Sequence, residues 1–135
     1  MRPVLILLAA TAVCAPALAA TTKIQTQLTA AVEVPGPGKG AGTATLTFDS
    51  DKGQVCYMLM SSGTDTPTMA HIHKGAAGVA GGVVVALAPP ATGMSEGCAP
   101  LAADVLADIV AHPADYYVNV HTAAFPKGAM RGQLK

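Results

Sequence analysis

From Gly42 to Phe48 the chain reads Gly-Thr-Ala-Thr-Leu-Thr-Phe, an unbroken alternation of polar and apolar side chains. In an extended strand successive side chains point to opposite faces, so Ala44, Leu46 and Phe48 share one face and the three threonines the other. A helix would scatter the same residues around its circumference, whereas a sheet with one buried face uses them all. The segment before it repeats the pattern. Ile24, Leu28, Ala30, Val32 and Val34 share a parity with Thr26, and Gln25, Gln27, Thr29 and Glu33 take the other, which predicts a strand running to Val34.

Punctuation divides the rest into short pieces. Pro35 to Gly40 cannot continue a ladder, and Asp49 to Gly53 is a turn that joins Gly42–Phe48 to Val55–Met60 as a hairpin. Val55–Met60 is apolar on both parities and predicts a central strand with both faces covered, its Met58 and Met60 in the core. A strand carrying histidines, Thr68–Gly75, is followed by a glycine-rich stretch, Gly75–Gly82, implying a tight backbone path. Val83–Leu87 is a β-branched strand ended by Pro89-Pro90, and Thr92–Pro100 reads as a loop carrying Cys98.

At Leu101 the period changes. Leu101, Val105, Leu106 and Ile109 fall at helical spacings, Asp104 and Asp108 lie on the other side as a solvated face, and His112-Pro113 ends the run. Tyr116–Thr122 and Ala129–Leu134 are two final strands joined across Ala123–Gly128. Six or seven short strands with one short helix near 101–112 predict a mainly β fold, an antiparallel Greek-key sandwich or barrel.

The first nineteen residues stand apart from this fold. A basic start at Arg2, an apolar run from Pro3 to Val13 and the small residues Ala17-Leu18-Ala19 form a cleaved signal peptide, 1–19, leaving one domain, 20–135. The apolar run is too short for a membrane span, which needs about 20 residues. The expected location is therefore the periplasm or the extracellular space. Removing Arg2 leaves seven basic residues against eight acidic ones, a balance that argues against a nucleic-acid or anionic-membrane partner. Cys14 leaves with the leader, and in an oxidising compartment Cys56 and Cys98 are expected to pair; the competing reading makes a cysteine a metal ligand.

Two of the four histidines form His71-Ile72-His73, and strand alternation puts both imidazoles on one face. If the final strands pair beside this one, His121 supplies a third imidazole to a single ion. Copper ranks above zinc on the Irving–Williams order, and Met69, on the parity of the two histidines, is a possible soft ligand. Core packing is the alternative for Met69, and hydrogen bonding in a polar seam the alternative for the histidines. Tyr117 and Asn119 share the parity of His121 and could orient a ligand ring, as could Arg131. Lys74, Lys127 and Arg131 could add positive charge to the region, and His112 reads as a helix-end residue outside it.

Two motifs carry a resemblance. His71-Ile72-His73-Lys74-Gly75, and Tyr117-Val118-Asn119-Val120-His121-Thr122 followed by Pro126-x-Gly128-x-x-Arg131-Gly132-Gln133-Leu134, resemble the hallmarks of the CHRD domain, a family named for repeats in the animal protein chordin. The resemblance spans nearly the whole chain after the leader and implies an exported β domain. Chordin members bind secreted growth factors, which implies, as an alternative to metal binding, a non-enzymatic extracellular interaction module with structural histidines. A weaker similarity to copper/zinc superoxide dismutases rests on a His-x-His strand and a later histidine. Between His73 and the C-terminal motif only His112 remains, too few ligands for a second metal, so any enzymatic reading is a copper-only redox one.

Overall fold

The structure, a computed structural model, describes residues 21–135; the expected leader lies outside the described residues. Eight strands form one antiparallel sheet: β1 Thr21–Thr29, β2 Ala41–Asp49, β3 Gln54–Ser62, β4 Pro67–Lys74, β5 Gly82–Leu87, β6 Met94–Pro100, β7 Tyr116–Thr122 and β8 Met130–Gln133. Their spatial order is β5-β4-β7-β8-β1-β2-β3-β6. The chain crosses between the two halves of the sheet at β3–β4, β5–β6 and β6–β7, which is Greek-key connectivity. The sheet curls into a nearly closed barrel whose edges are tied by side chains. The Ala88 amide donates to Tyr57 Oη of β3 at 2.9 Å, and Ser95 Oγ of β6 donates to the Ala88 carbonyl at 2.7 Å.

The alternation seen in the sequence becomes the core. Ile24 and Leu28 of β1, Leu46 and Phe48 of β2, Val55 and Leu59 of β3, Ile72 of β4, and Val118 and Val120 of β7 meet inside. Each such side chain stabilises the fold by roughly 1.5 to 3 kcal/mol relative to exposure. The single α-helix among the described residues, α1 (Ala103–Ala111), buries Leu106 and Ile109 over one end of the barrel, close to Phe48. Asp104 complements the dipole at its start. Asp108 is more than a solvated helix-face residue. Its carboxylate accepts from Lys74 Nζ at 2.6 Å, from Tyr116 Oη, and from His112 Nδ1 at 3.0 Å, and these bonds hold it far below the usual carboxylate range. Lys74 is thereby turned toward α1, and His112 is a hydrogen-bond partner of the same carboxylate at the helix end.

Three expectations need correction. β1 ends at Thr29, and the chain turns through a short 3-10 segment, Ala30–Val32, so the alternation is broken: Val32 is 54% exposed and Glu33 only 7%. β3 has one covered face, not two, and Met58 and Met60 lie on its open side. Thr92–Pro100 is largely strand β6, paired along β3 from Met60↔Met94 to Gln54↔Pro100. Met-Ser-Glu-Gly-Cys-Ala-Pro lacks the β-branched and aromatic residues that mark strands, so its conformation is imposed by its neighbour. Cys56 and Cys98 are directly opposed in this pairing and form a disulfide.

Candidate metal centre

β7 is buried along its whole length on both faces. Val118 and Val120 point into the barrel; Tyr117, Asn119 and His121 point outward and are covered by two loops, residues 30–38 and 75–81. Beside it β4 presents His71 and His73 on the same outer face, in register with Asn119 and Tyr117, and β8 presents Arg131 opposite Asn119. The pairing of β4 with β7 brings the three predicted histidines together. Their ligand nitrogens all lie within 4.8 Å of one another, with His73 and His121 buried and His71 half-buried.

Backbone carbonyls set the rings. His73 Nδ1 lies 3.0 Å from the Gly81 carbonyl and His121 Nδ1 lies 3.1 Å from the Pro126 carbonyl, contacts in which the imidazole N–H donates. Each bond fixes the tautomer and leaves Nε2 with a lone pair. His121 Nε2 faces His71 Nδ1 at 3.0 Å, while His73 Nε2 is buried with no hydrogen-bond partner. A buried nitrogen without a partner is a cost the fold carries unless something else meets it. Burial is the main cause that lowers the pKa of all three rings, His121 down to about 4, so they are neutral, as metal ligation requires. The donor set could therefore hold a metal ion.

The glycine-rich loop supplies the Gly81 carbonyl because its path is tight. A Cβ at Gly81 would collide with the Lys74 carbonyl, and the Gly81 amide donates to Tyr117 Oη at 3.0 Å. Tyr117, on the strand between β4 and β8, stacks parallel to the His73 ring at 4.9 Å and carries the Arg131 guanidinium 3.5 Å from its ring centre. Arg131 Nη2 donates to the Val79 carbonyl at 2.8 Å. Met69 sits opposite His121 in the β4–β7 register, with its side chain exposed and not packed in the core. Lys127 lines the cleft beside the histidines, a space of about 450 Å3.

Glu33 is the functional-site neighbour that the sequence hides. It reaches the same cleft from the 3-10 turn and accepts from Asn119 Nδ2 at 2.6 Å. Burial pushes its carboxyl up to about 7 although Arg131 pulls the other way. Gly128, at a positive φ of 142°, leaves the room this contact needs, since any Cβ there would strike the Glu33 carboxylate and the Asn119 amide. The alternating parity put Glu33 on the solvent side, and only the break at Ala30 turns it inward.

Two further observations concern ancestry. No curated protein and no solved structure matches the chain. The family model described as the CHRD domain matches residues 24–134, a span that holds every strand from the core of β1 to β8, all three clustered histidines and the disulfide. By that match over most of its length, the chain belongs to the CHRD domain family.

Proposed function

We propose that this protein is an exported CHRD domain that binds one copper ion through His71, His73 and His121. The observation that carries the reading is His73 Nε2, buried without any hydrogen-bond partner while its Nδ1 is tied to Gly81, with the His121 Nε2 lone pair, its own Nδ1 tied to Pro126, turned to the same cluster against His71 Nδ1. Copper is favoured over zinc because imidazole sites follow the Irving–Williams order and because the Met69 thioether stands opposite His121. Tyr117 and Arg131 hold the His73 ring in place, and Asn119, tied to Glu33, packs beside His121 on the floor of the cleft. Export is supported by the leader-like residues 1–19 and by the disulfide, which persists in oxidising compartments. When bound, copper supplies one-electron chemistry, so the role is copper handling or redox chemistry on a small oxidant.

A second reading keeps the histidines structural, in an extracellular interaction module, and rests on the 3.0 Å contact between His71 and His121, which satisfies both nitrogens without metal. Calorimetry with Cu(II) and Zn(II) on the metal-free chain separates the two. One-to-one copper binding tighter than about 1 μM is expected, weakened more than about 100-fold in His73→Ala and in His121→Ala. Wild-type protein that binds no tighter than micromolar, or variants that bind as wild type does, would leave the structural reading standing.

A further inference from the structure

The other half of the sheet carries a second cluster of soft donors. Met60 of β3 and Met94 of β6 are directly opposed in the ladder, and Met58 lies two residues along β3 on the same outer face. Their exposures are 50%, 50% and 42%. Opposed residues have Cβ atoms about 4.5 to 5.5 Å apart, and a two-residue step along a strand covers about 6.7 Å. An unbranched side chain with three rotatable bonds lets each sulfur swing across that distance, so all three thioethers can converge on one point.

The surroundings argue against ordinary apolar packing. Outward positions of β2 facing this patch are Thr43 and Thr45, opposite Met60 and Met58, and no Leu, Ile, Val or aromatic side chain points outward from β2, β3 or β6. A surface that docks a protein partner is enriched in aromatic residues and arginine as well as methionine, and this one has the methionines alone. Those outward positions also hold no lysine or arginine, while Glu96 stands opposite Met58 and next to Met94 on the same face. The patch is thus thioether-rich, uncrossed by positive charge and bordered by a carboxylate. Thioether donors select Cu(I) and its analogue Ag(I), and discriminate against Zn(II).

We infer that Met58, Met60 and Met94 form a second metal site, specific for a soft monovalent ion, on the open face of β3 and β6. It is separate from the histidine centre and holds whether or not that centre binds metal. The test uses the chain from residue 20 onward, labelled with 13C at the methionine methyl groups, and Ag(I) as a redox-inert probe, followed by Cu(I) kept reduced under anaerobic conditions. The methyl resonances of Met58, Met60 and Met94 should shift together on addition of one equivalent, in wild type and in His121→Ala alike. Zn(II) should not move them. The double variant Met60→Leu/Met94→Leu preserves side-chain volume and should melt like wild type without metal, yet lose Ag(I) affinity by more than about tenfold. Shifts at no methionine, shifts confined to Met69, an equal response to Zn(II), or wild-type affinity in the double variant would each overturn the assignment.

Discussion

Glu33 and Arg131 form the electrostatic balance beside the histidines, and both are nearly closed to solvent, Arg131 at 3% exposure. Arg131 places its guanidinium over the Tyr117 ring with one donor on the Val79 carbonyl, while its Nε and Nη1 are buried without partners. Glu33 yields instead: its folded pKa of about 7 lies above the ordinary 4.5, because burial disfavours the carboxylate more than Arg131 favours it. Between those two pH values the folded state binds more protons at Glu33 than the unfolded chain, so this group's contribution is complete below about pH 4.5 and falls as pH rises through 7. The three histidines act with the opposite sign. Their folded pKa values are depressed, so they favour the fold at neutral pH and withdraw that support as pH falls toward 4. Subtracting one melt from another isolates Glu33. Glu33→Gln keeps an oxygen to accept from Asn119 and mimics the protonated acid; its stability advantage over wild type should grow between pH 5 and pH 8, reaching on the order of 1 to 2 kcal/mol. Urea melts of both proteins across that range check it, and parallel curves would mean that Glu33 titrates normally.

At the level of elements, what could be read in the sequence was whatever the local pattern alone determines. β2 alternates because one of its faces is core and the other solvent, and the alternation of β7 put Tyr117, Asn119 and His121 on one side, which is where they are. That the outer side of β7 is also buried depends on two distant loops, and no pattern within seven residues carries that information. β3 misleads because Met58 and Met60 are apolar by composition yet face water, and β6 is silent because its pairing comes from β3. The three-histidine cluster was legible because each member sits on a strand whose parity was clear; Glu33 was not, because its position follows from where β1 stops. The disulfide then has a specific task, holding a strand of weak intrinsic preference at the edge of the sheet. It closes a loop of 42 residues in sequence separation, for which the chain-entropy estimate is about 4 kcal/mol. Cys56→Ala/Cys98→Ala should lose about 3 to 4 kcal/mol in urea melts, and limited proteolysis should cut first within Ala88–Pro100. A loss below about 1 kcal/mol would show that side-chain and backbone bonds hold β6 without the bridge.

Over the whole molecule, the histidine centre is a junction between parts that the barrel wall does not otherwise join. His73 is bonded to the loop at Gly81, His121 to the loop at Pro126, and Asn119 through Glu33 to the segment after β1, so three loops converge on β4 and β7. The opposite edge, where β3 meets β6, is held by its own ladder, the disulfide and the Tyr57–Ala88–Ser95 bonds. An ion bound by three imidazoles stabilises only the folded state, and at a free concentration 100 times its Kd the gain is about 2.7 kcal/mol. For a domain of this size each kcal/mol raises the melting temperature by about 4 °C, so one site's occupancy should raise it by about 10 °C. The gain should also be local. Hydrogen exchange should slow at the amides of 75–81 and 123–128, whose carbonyls fix the ligand rings, and remain unchanged along β6, where opening does not disturb the histidines. Measuring both quantities without metal and with free Cu(II) held at 100 times its Kd distinguishes a bound ion from a loosely associated one. A raised melting temperature with uniform protection would place the ion elsewhere, and unchanged values for both would show that the histidine junction is complete without metal.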